Sequence, residues 1–565
     1  MATRSSETAG AGLPTAARFR MPGLVLTGII LLAVAARLYL IFSTRATEED
    51  FYITLRYAEN LAHGLGLVYN PGEHVLGTTT PLYTLLLALI VRVGLDPVLC
   101  GKLFAVGADA LSCWFIVRFA RKIERPLAGL CAATCFAILP LNLTESVKGM
   151  ESSLVACAGI GAWCLLAERR QRAAWLCAAL LTLLRIDGAM LAVILLLTCL
   201  WRDRKLPWQG LSVYAAVTLP WMLYATVAFG SPIPTSLRAK LIVYAWHNSQ
   251  AFPNLLPFLK LMTHNSAGAV LFAGAVLEVS RAAWRSKAFI SRKGAKAQRD
   301  ADSAHAEGEL SPVSRAEAQG GAEQPSIPKA LVCGEHLPLV AMMAWMLLYY
   351  AGMAFSKVFL FGWYFLPPTP EYYLIAFVGL GRLTALLPAN LRAQVAAQPA
   401  GLAATVLAVG AVMCAVTVPR VAVSLSESQR VEDELRIPIG LRLKELARPG
   451  DTVMLEPIGY IGYYSGLRVL DTVGLVSPEV LPFYRNEEPS PYHAIWRKFR
   501  PEWVLLRAGE LNDLRRYEST LPPSERLEAQ YGWVKGWGGT HNAPDSRAPF
   551  SLFRRTTMGA TPHAL

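Results

Sequence analysis

The chain has 565 residues, of which 53% are hydrophobic and only 17% charged, with a net charge of +13 and a mean hydropathy of +0.35. Soluble domains carry about 25% charged residues, so this balance excludes an ordinary soluble enzyme. The positive charge does not indicate nucleic acid, because Lys and Arg gather in short loops between apolar runs, without an RNA-binding signature or a zinc-type cysteine spacing.

In chain order, a polar N-terminal segment (1–21) carries Arg18 and Arg20. It precedes an apolar run over 22–42, too long for a signal-peptide core and read as an uncleaved anchor. The acidic stretch 44–80 follows on the outer side. The next apolar run, 81–93, is short of the roughly 20 residues that cross a bilayer, so it predicts an interfacial or re-entrant helix. Further spans are predicted over 102–119, 127–141 and 151–166. A fifth and a sixth meet at an outer turn, Arg185-Ile186-Asp187-Gly188, and a seventh covers 208–229. Basic ends at Arg121-Lys122, Arg169-Arg170 and Arg202 to Lys205 place the intervening loops in the cytoplasm.

An eighth span ends near Trp284. The segment 285–328 opens with Lys287, Arg292, Lys293, Lys296 and Arg299, then becomes rich in Ala, Glu, Ser and Gln. That composition predicts a disordered cytoplasmic loop whose basic root can lie against anionic membrane lipid. Spans over 336–353, 372–387 and 402–418 complete a membrane domain, 22–418, of about eleven helices by the same length criterion. The remainder, 419–565, is read as an extracytoplasmic domain. A helix over 424–447 and strands at 452–455, 467–470 and 503–506 give it an α/β character. Gly459, Gly462 and Gly466, in IGYIGYYSG, depart from a dinucleotide fingerprint and fit close backbone packing and a turn. All ten cysteines fall between Cys100 and Cys414, in or beside spans, with no metal-site spacing; no metal or cofactor is expected.

Chemistry is sought where ionisable groups border the spans, since they are costly there unless they face water, a partner or a substrate. Glu49-Asp50 lies just past the first span. A carboxylate there can accept a proton from an alcohol, or it can be a solvated loop acid. Arg56, on the same predicted helix, is placed to orient Asp50. Glu151 opens the fourth span beside Lys148, as a substrate ligand or as an acid favoured by the helix dipole. Arg185 and Asp187 form either a salt-bridged turn or part of a substrate site. Arg238 and Lys240 are cations on the outer side, where the charge rule disfavours them; they suit a lipid phosphate, or they line a solvated amphipathic helix. Tyr364 beside Trp363 is an interfacial aromatic or a site residue.

The first outer loop carries Glu49-Asp50, then GLGLVYNPGE (64–73), then Thr80-Pro81-Leu82-Tyr83. This order resembles the class C (GT-C) polytopic membrane glycosyltransferases, within a bacterial branch of arabinofuranosyltransferase- and mannosyltransferase-like enzymes. The resemblance continues through Gly149-Met150-Glu151, Leu184 to Gly188, Phe229 to Thr235 with Ala239-Lys240, and IGYIGYYSG with Asp471 and Gly474-Leu475. It spans most of the chain outside 285–328. Ile186, where the family often has Pro, and Thr78-Thr79-Thr80, in place of a more aromatic stretch, bear on the sugar and not on the class.

The resemblance implies a transferase in the cell (inner) membrane. It would move a sugar from a polyprenyl-phosphate donor to an envelope glycan, lipid or protein acceptor, with inversion. It implies Asp50 as general base, with Glu49 beside it in the catalytic pair. Glu49 and Glu151 would bind sugar or acceptor hydroxyls, and Arg238 and Lys240 the phosphate. Arg56, Lys148, Arg185, Asp187 and Tyr364 complete the expected binding set. Two other classes remain: a different envelope enzyme, such as a glycan polymerase or ligase, and a transporter or non-catalytic member of the fold. Polymerases and ligases tend to place a large outer loop late in the chain, whereas here the acids come first. A transporter would show internal repeats, which this sequence lacks.

Overall fold

The computed structural model describes residues 23–247, 254, 256, 268–281, 337–356, 358–486, 488–537 and 550–556. The expected cytoplasmic segment 1–21, the end of the eighth span and the loop 285–328 lie outside the described residues.

The helices in chain order are α1 (Gly23–Thr44), α2 (Glu49–Ala62), α3 (Pro81–Arg92), α4 (Pro97–Lys122), α5 (Pro126–Ile138) and α6 (Pro140–Ser146). They continue as α7 (Ser152–Ala167), α8 (Gln171–Leu184), α9 (Ala189–Asp203), α10 (Trp208–Phe229) and α11 (Thr235–His247). After these come α12 (Leu337–Phe355), α13 (Thr369–Leu380), α14 (Pro399–Val431) and α15 (Ile437–Leu446). Among the described residues, five helices are long and apolar enough to cross a membrane: α1, α4, α10, α12 and the run Pro399–Leu446. The pair α5 and α6 makes six if it counts as one bent span. Helices α3, α7 and α8 are apolar but shorter, so an eleven-span count would require several short helices to cross as well. The protein is a multi-pass membrane protein.

Local sequence explains several helix ends. Pro97 opens α4 at a position that needs no N–H donor, and Asp96 accepts from the Val98 N–H at 2.9 Å. Pro140 cannot continue α5, and α6 leaves at 54°. The break frees carbonyls at the end of α5, and Arg37 of α1 takes them: its Nη1 donates to Ala137 O at 2.8 Å and its Nη2 to Phe136 O at 3.2 Å. Arg37 Nε meets Asp109 Oδ2 of α4 at 2.5 Å, and neither side chain is exposed. One fully buried ion pair thus ties α1, α4 and α5 together.

The C-terminal part is a five-stranded sheet in the order β2-β1-β3-β5-β4. Its strands are β1 (Thr452–Leu455), β2 (Arg468–Asp471), β3 (Trp503–Arg507), β4 (Tyr531–Trp537) and β5 (Phe550–Arg555). β1 pairs with β2 and β3 in parallel, and β5 is antiparallel to both β3 and β4. The three expected strands are present; β4 and β5 were not expected.

Alternate residues of these strands point to opposite faces. Val453, Leu455, Val469, Trp503 and Leu505 pack with Ile439 and Leu443 of α15, and with Ile53, Tyr57, Leu67 and Tyr69 from α2 and its following loop. Met454, Leu470, Val504 and Leu506 pack with Val480, Leu481 and Trp496, and with Ala239 and Val243 of α11. Both faces of the sheet are therefore covered in part by segments of the bundle.

The boundary expected at 418 is not a break. α14 runs through Pro419, then through a π turn, Glu432–Arg436, into α15. Val421 and Leu425 beyond the proline stay buried on the helix. The last span and the helix expected over 424–447 are one element.

Candidate active site

The turns at one end of the bundle meet the sheet, and the charged residues collect there. Asp50 is in the first turn of α2 and Lys240 in the second turn of α11. Lys240 Nζ lies 3.8 Å from Asp50 Oδ2 and 3.2 Å from the Tyr364 hydroxyl, to which it donates. Arg185, at the end of α8, stacks its guanidinium 4.9 Å from the centre of the Tyr364 ring. Lys240 sits 5.9 Å from the same centre, so the ring's negative face serves two cations.

Arg185 continues the chain of contacts. Its Nη2 meets Asp187 Oδ2 at 2.8 Å and its Nη1 meets Glu151 Oε1 at 3.3 Å. The Tyr349 hydroxyl donates to Asp187 Oδ2 at 3.5 Å. Asp50, Lys240, Tyr364, Arg185, Asp187 and Glu151 thus form one connected cluster, although nearly 200 residues separate Asp50 from Lys240. Burial alone would lower the Lys240 pKa, but the Tyr364 hydroxyl and the Asp50 carboxylate raise it above the usual lysine range.

Four expected site residues lie elsewhere. Lys148 bridges Glu48 at 2.8 Å and Glu145 at 3.3 Å, beside the cluster. Burial opposes its charge, but the two carboxylates outweigh it and raise its pKa. Glu49 points away from Lys240: its Oε1 accepts from the Gly459 N–H at 2.8 Å and its Oε2 meets Arg436 at 2.8 Å. Burial pushes its pKa up to about 8, with Arg436 pulling the other way.

Arg56, expected to orient Asp50, does not reach it. Its guanidinium donates to the carbonyls of Tyr69, Gly462 and Leu467 at 2.9, 2.5 and 2.6 Å, and stacks on the Tyr69 ring. Those three carbonyls occupy all its nitrogens. Arg238 is exposed and makes no ion pair among the described residues. It stands two residues from Lys240, roughly 200° around the helix, and so faces away.

Gly459 and Gly462 of IGYIGYYSG have a packing purpose, and Gly466, at φ 65°, makes the turn that ends the helix Tyr460–Ser465. A Cβ on Gly459 would lie 2.3 Å from the Glu49 carbonyl oxygen, and one on Gly462 would lie 2.0 Å from the Tyr69 hydroxyl. Only glycine lets this segment approach α2 so closely.

Glu48, Glu145, Tyr349 and Arg436 belong to the same neighbourhood and were not singled out from the sequence. Glu48 directly precedes the acidic pair, and Glu145 stands three residues before Lys148, so both had a local signal. Tyr349 and Arg436 had none. Among the described residues no three His, Cys, Asp or Glu side chains gather in a way that could hold a metal ion. The described cysteines are all free.

A cluster of this composition can bind an anion between Lys240 and Arg185 and present a carboxylate beside it. Comparisons with known proteins bear on the scaffold. A family described as a domain of unknown function (DUF8728) matches residues 424–553. No curated protein matches the chain. ArnT from Cupriavidus metallidurans, bound to undecaprenyl phosphate, superposes with a TM-score of 0.54 over 96% of this chain and 99% of that one, at 13% identity. The apo form of ArnT gives 0.53, over 93% and 98%, at 15% identity. An oligosaccharyltransferase from Archaeoglobus fulgidus, tethered with an acceptor peptide containing an NVT sequon, gives 0.51 over 94% and 74%, at 12% identity.

The chain has a GT-C-like fold. At these identities the likeness is one of architecture. It bears out the expected class, a helical polytopic membrane protein with an α/β C-terminal part.

Proposed function

We propose that this protein is a membrane glycosyltransferase that transfers a sugar from a polyprenyl-phosphate donor to an envelope glycan, lipid or protein acceptor. The observation that carries the reading is the Asp50–Lys240–Tyr364–Arg185 cluster, at the sheet-bearing end of a GT-C-like bundle. The donor lipid class is carried over from the undecaprenyl phosphate bound to the Cupriavidus ArnT. The sheet-bearing face is extracytoplasmic, because the basic ends of α4, α7 and α9 lie at the opposite end of the bundle. The membrane is the cell membrane, with a cytoplasmic N-terminus.

Each residue then has a task. Asp50 accepts the proton of an acceptor hydroxyl, whose oxygen attacks the anomeric carbon from the face opposite the lipid phosphate. The anomeric carbon–oxygen bond to the phosphate breaks, and its electron pair leaves with polyprenyl phosphate. The configuration inverts. The leaving group departs as an anion, so cations stabilise it more than a general acid would. Lys240 exchanges its 3.8 Å contact with Asp50 for the phosphate, and Arg185 supports it through the shared Tyr364 ring. Glu151 and Asp187 hold Arg185 in place. Lys148, held by Glu48 and Glu145, borders the acceptor side.

The test supplies full-length protein in lipid with radiolabelled polyprenyl-phosphate sugars and an envelope fraction, then determines where the label goes and its anomeric configuration. Transfer with inversion supports the reading. Transfer with retention excludes Asp50 as a simple base, and no turnover of any donor favours a transporter or an inactive member of the fold.

A further inference from the structure

The sheet grips both helices that carry the charged pair. One face holds α2 through Ile53 and Tyr57, and the other holds α11 through Ala239 and Val243. Asp50 projects from the first helix and Lys240 from the second, and the two meet at the junction.

The three residues before Asp50 are each pinned to another part of the chain. The Thr47 N–H donates to Gln429 Oε1 of α14 at 3.0 Å, and the Tyr460 hydroxyl donates to the Thr47 carbonyl at 3.0 Å. The Glu48 N–H donates to the Lys148 carbonyl at 3.0 Å, and its carboxylate pairs with the Lys148 ammonium. Glu49 is held by the Gly459 N–H and by Arg436. Arg436 closes the π turn of Glu432–Arg436, and it also meets Glu432 at 2.5 Å. A single wide turn of this kind interrupts a helix at a cost and is frequent at functional sites. Here it brings Arg436 to Glu49.

We propose that Glu49 is a positioning residue, through which the C-terminal sheet domain sets the direction of the Asp50 carboxylate. The domain is thereby part of the catalytic centre and not a detachable cover. The catalytic consequence rests on Asp50 being the base. A neutral amide at this position keeps the bond from the Gly459 N–H and loses the ion pair with Arg436.

The test uses full-length protein in lipid nanodiscs with two readouts, steady-state kinetics and hydrogen exchange of the first turn of α2. Glu49→Ala and Gly459→Ala are expected to lower kcat about 10²-fold with the donor KM unchanged, the effect of misplacing a reacting group by about 1 Å. Both variants speed exchange at the amides of 50–54. Glu49→Gln is expected to stay within about 10-fold of wild type in kcat and to exchange more slowly than Glu49→Ala, because its amide oxygen still accepts from Gly459 while the Arg436 contact is lost. Glu49→Gln as inactive as Asp50→Asn would overturn the proposal, because Glu49 would then take part in the chemistry. Wild-type kcat and exchange in Glu49→Ala would overturn it too. If wild type turns over no donor, the reading of Asp50 as base fails, and exchange alone decides whether Glu49 holds α2.

Discussion

Two ion pairs in this molecule join the same kinds of groups and are built to different ends. Arg37 and Asp109 meet at 2.5 Å deep in the bundle, with no exposure on either side, and Arg37 spends its other nitrogens on backbone carbonyls. Asp50 and Lys240 meet at 3.8 Å at the sheet-bearing end of the bundle, with 30% and 14% of their side chains exposed. Lys240 is the one ion-pair partner of Asp50 among the described residues. In the inner pair every Arg37 nitrogen is taken by a protein oxygen, and the pair holds helices together. The outer pair is loose, reachable, and able to exchange a protein contact for a ligand.

The inner pair offers the largest effect. Asp109→Leu leaves a buried guanidinium without its counter-charge, which costs about 3–5 kcal/mol of stability. The double variant Arg37→Leu/Asp109→Leu is expected to recover part of that loss, because no unpaired charge remains while the Ala137 and Phe136 carbonyls lose their donor. Thermal unfolding in lipid measures both, and a double variant as unstable as the single one breaks the comparison.

The outer pair behaves oppositely. Lys240→Gln is expected to cost far less stability than Asp109→Leu and to lower kcat/KM for donor about 10²-fold, with Lys240→Arg retaining part of the activity. Equal activity in wild type and Lys240→Gln would remove Lys240 from the phosphate site.

A pH series sharpens the contrast on the domain side. Burial raises Glu49 from 4.5 to about 8, Asp471 from 3.8 to about 7 and Glu510 from 4.5 to about 7. The folded domain therefore keeps protons that the unfolded chain releases, and stability falls as pH rises from about 4 to about 8. Glu49→Gln removes the uppermost part of that slope, between about 7 and 8, as followed by hydrogen exchange across the sheet. A slope of the opposite sign would contradict the burial of these carboxyls.

The smallest effect belongs to Arg238. Arg238→Ala is expected to change donor kcat/KM less than about 2-fold, since an exposed side chain with no ion-pair partner among the described residues contributes little.

The bundle end of the site was legible because its members border apolar runs: Asp50, Glu151, Arg185 and Asp187 lie at or near helix ends, and Lys240 is a cation on the outer side, where the charge rule disfavours it. Asp187 with Arg185 was readable as a pair because the two are sequence neighbours. The contact of Asp50 with Lys240 was not, nor that of Glu49 with Gly459 and Arg436, because no local pattern encodes partners hundreds of residues apart. Arg238 and Lys240 look equivalent in sequence; helix rotation separates them. The short helices α7 and α8, 16 and 14 residues long, read as spans on hydropathy alone. Pro419 reads as an end, yet packing of Val421 and Leu425 carries the helix through it. The covering of the sheet by α2 and α11 is a tertiary fact, and it makes the domain boundary less sharp than the change in composition implies.

The most direct test of the account compares wild type with Asp50→Asn, both full length in lipid, for release of polyprenyl phosphate from a panel of labelled donors. The account predicts release by wild type from one donor, and a loss of about 10²-fold or more in Asp50→Asn, the range of a general base. Equal release by the two proteins would contradict it.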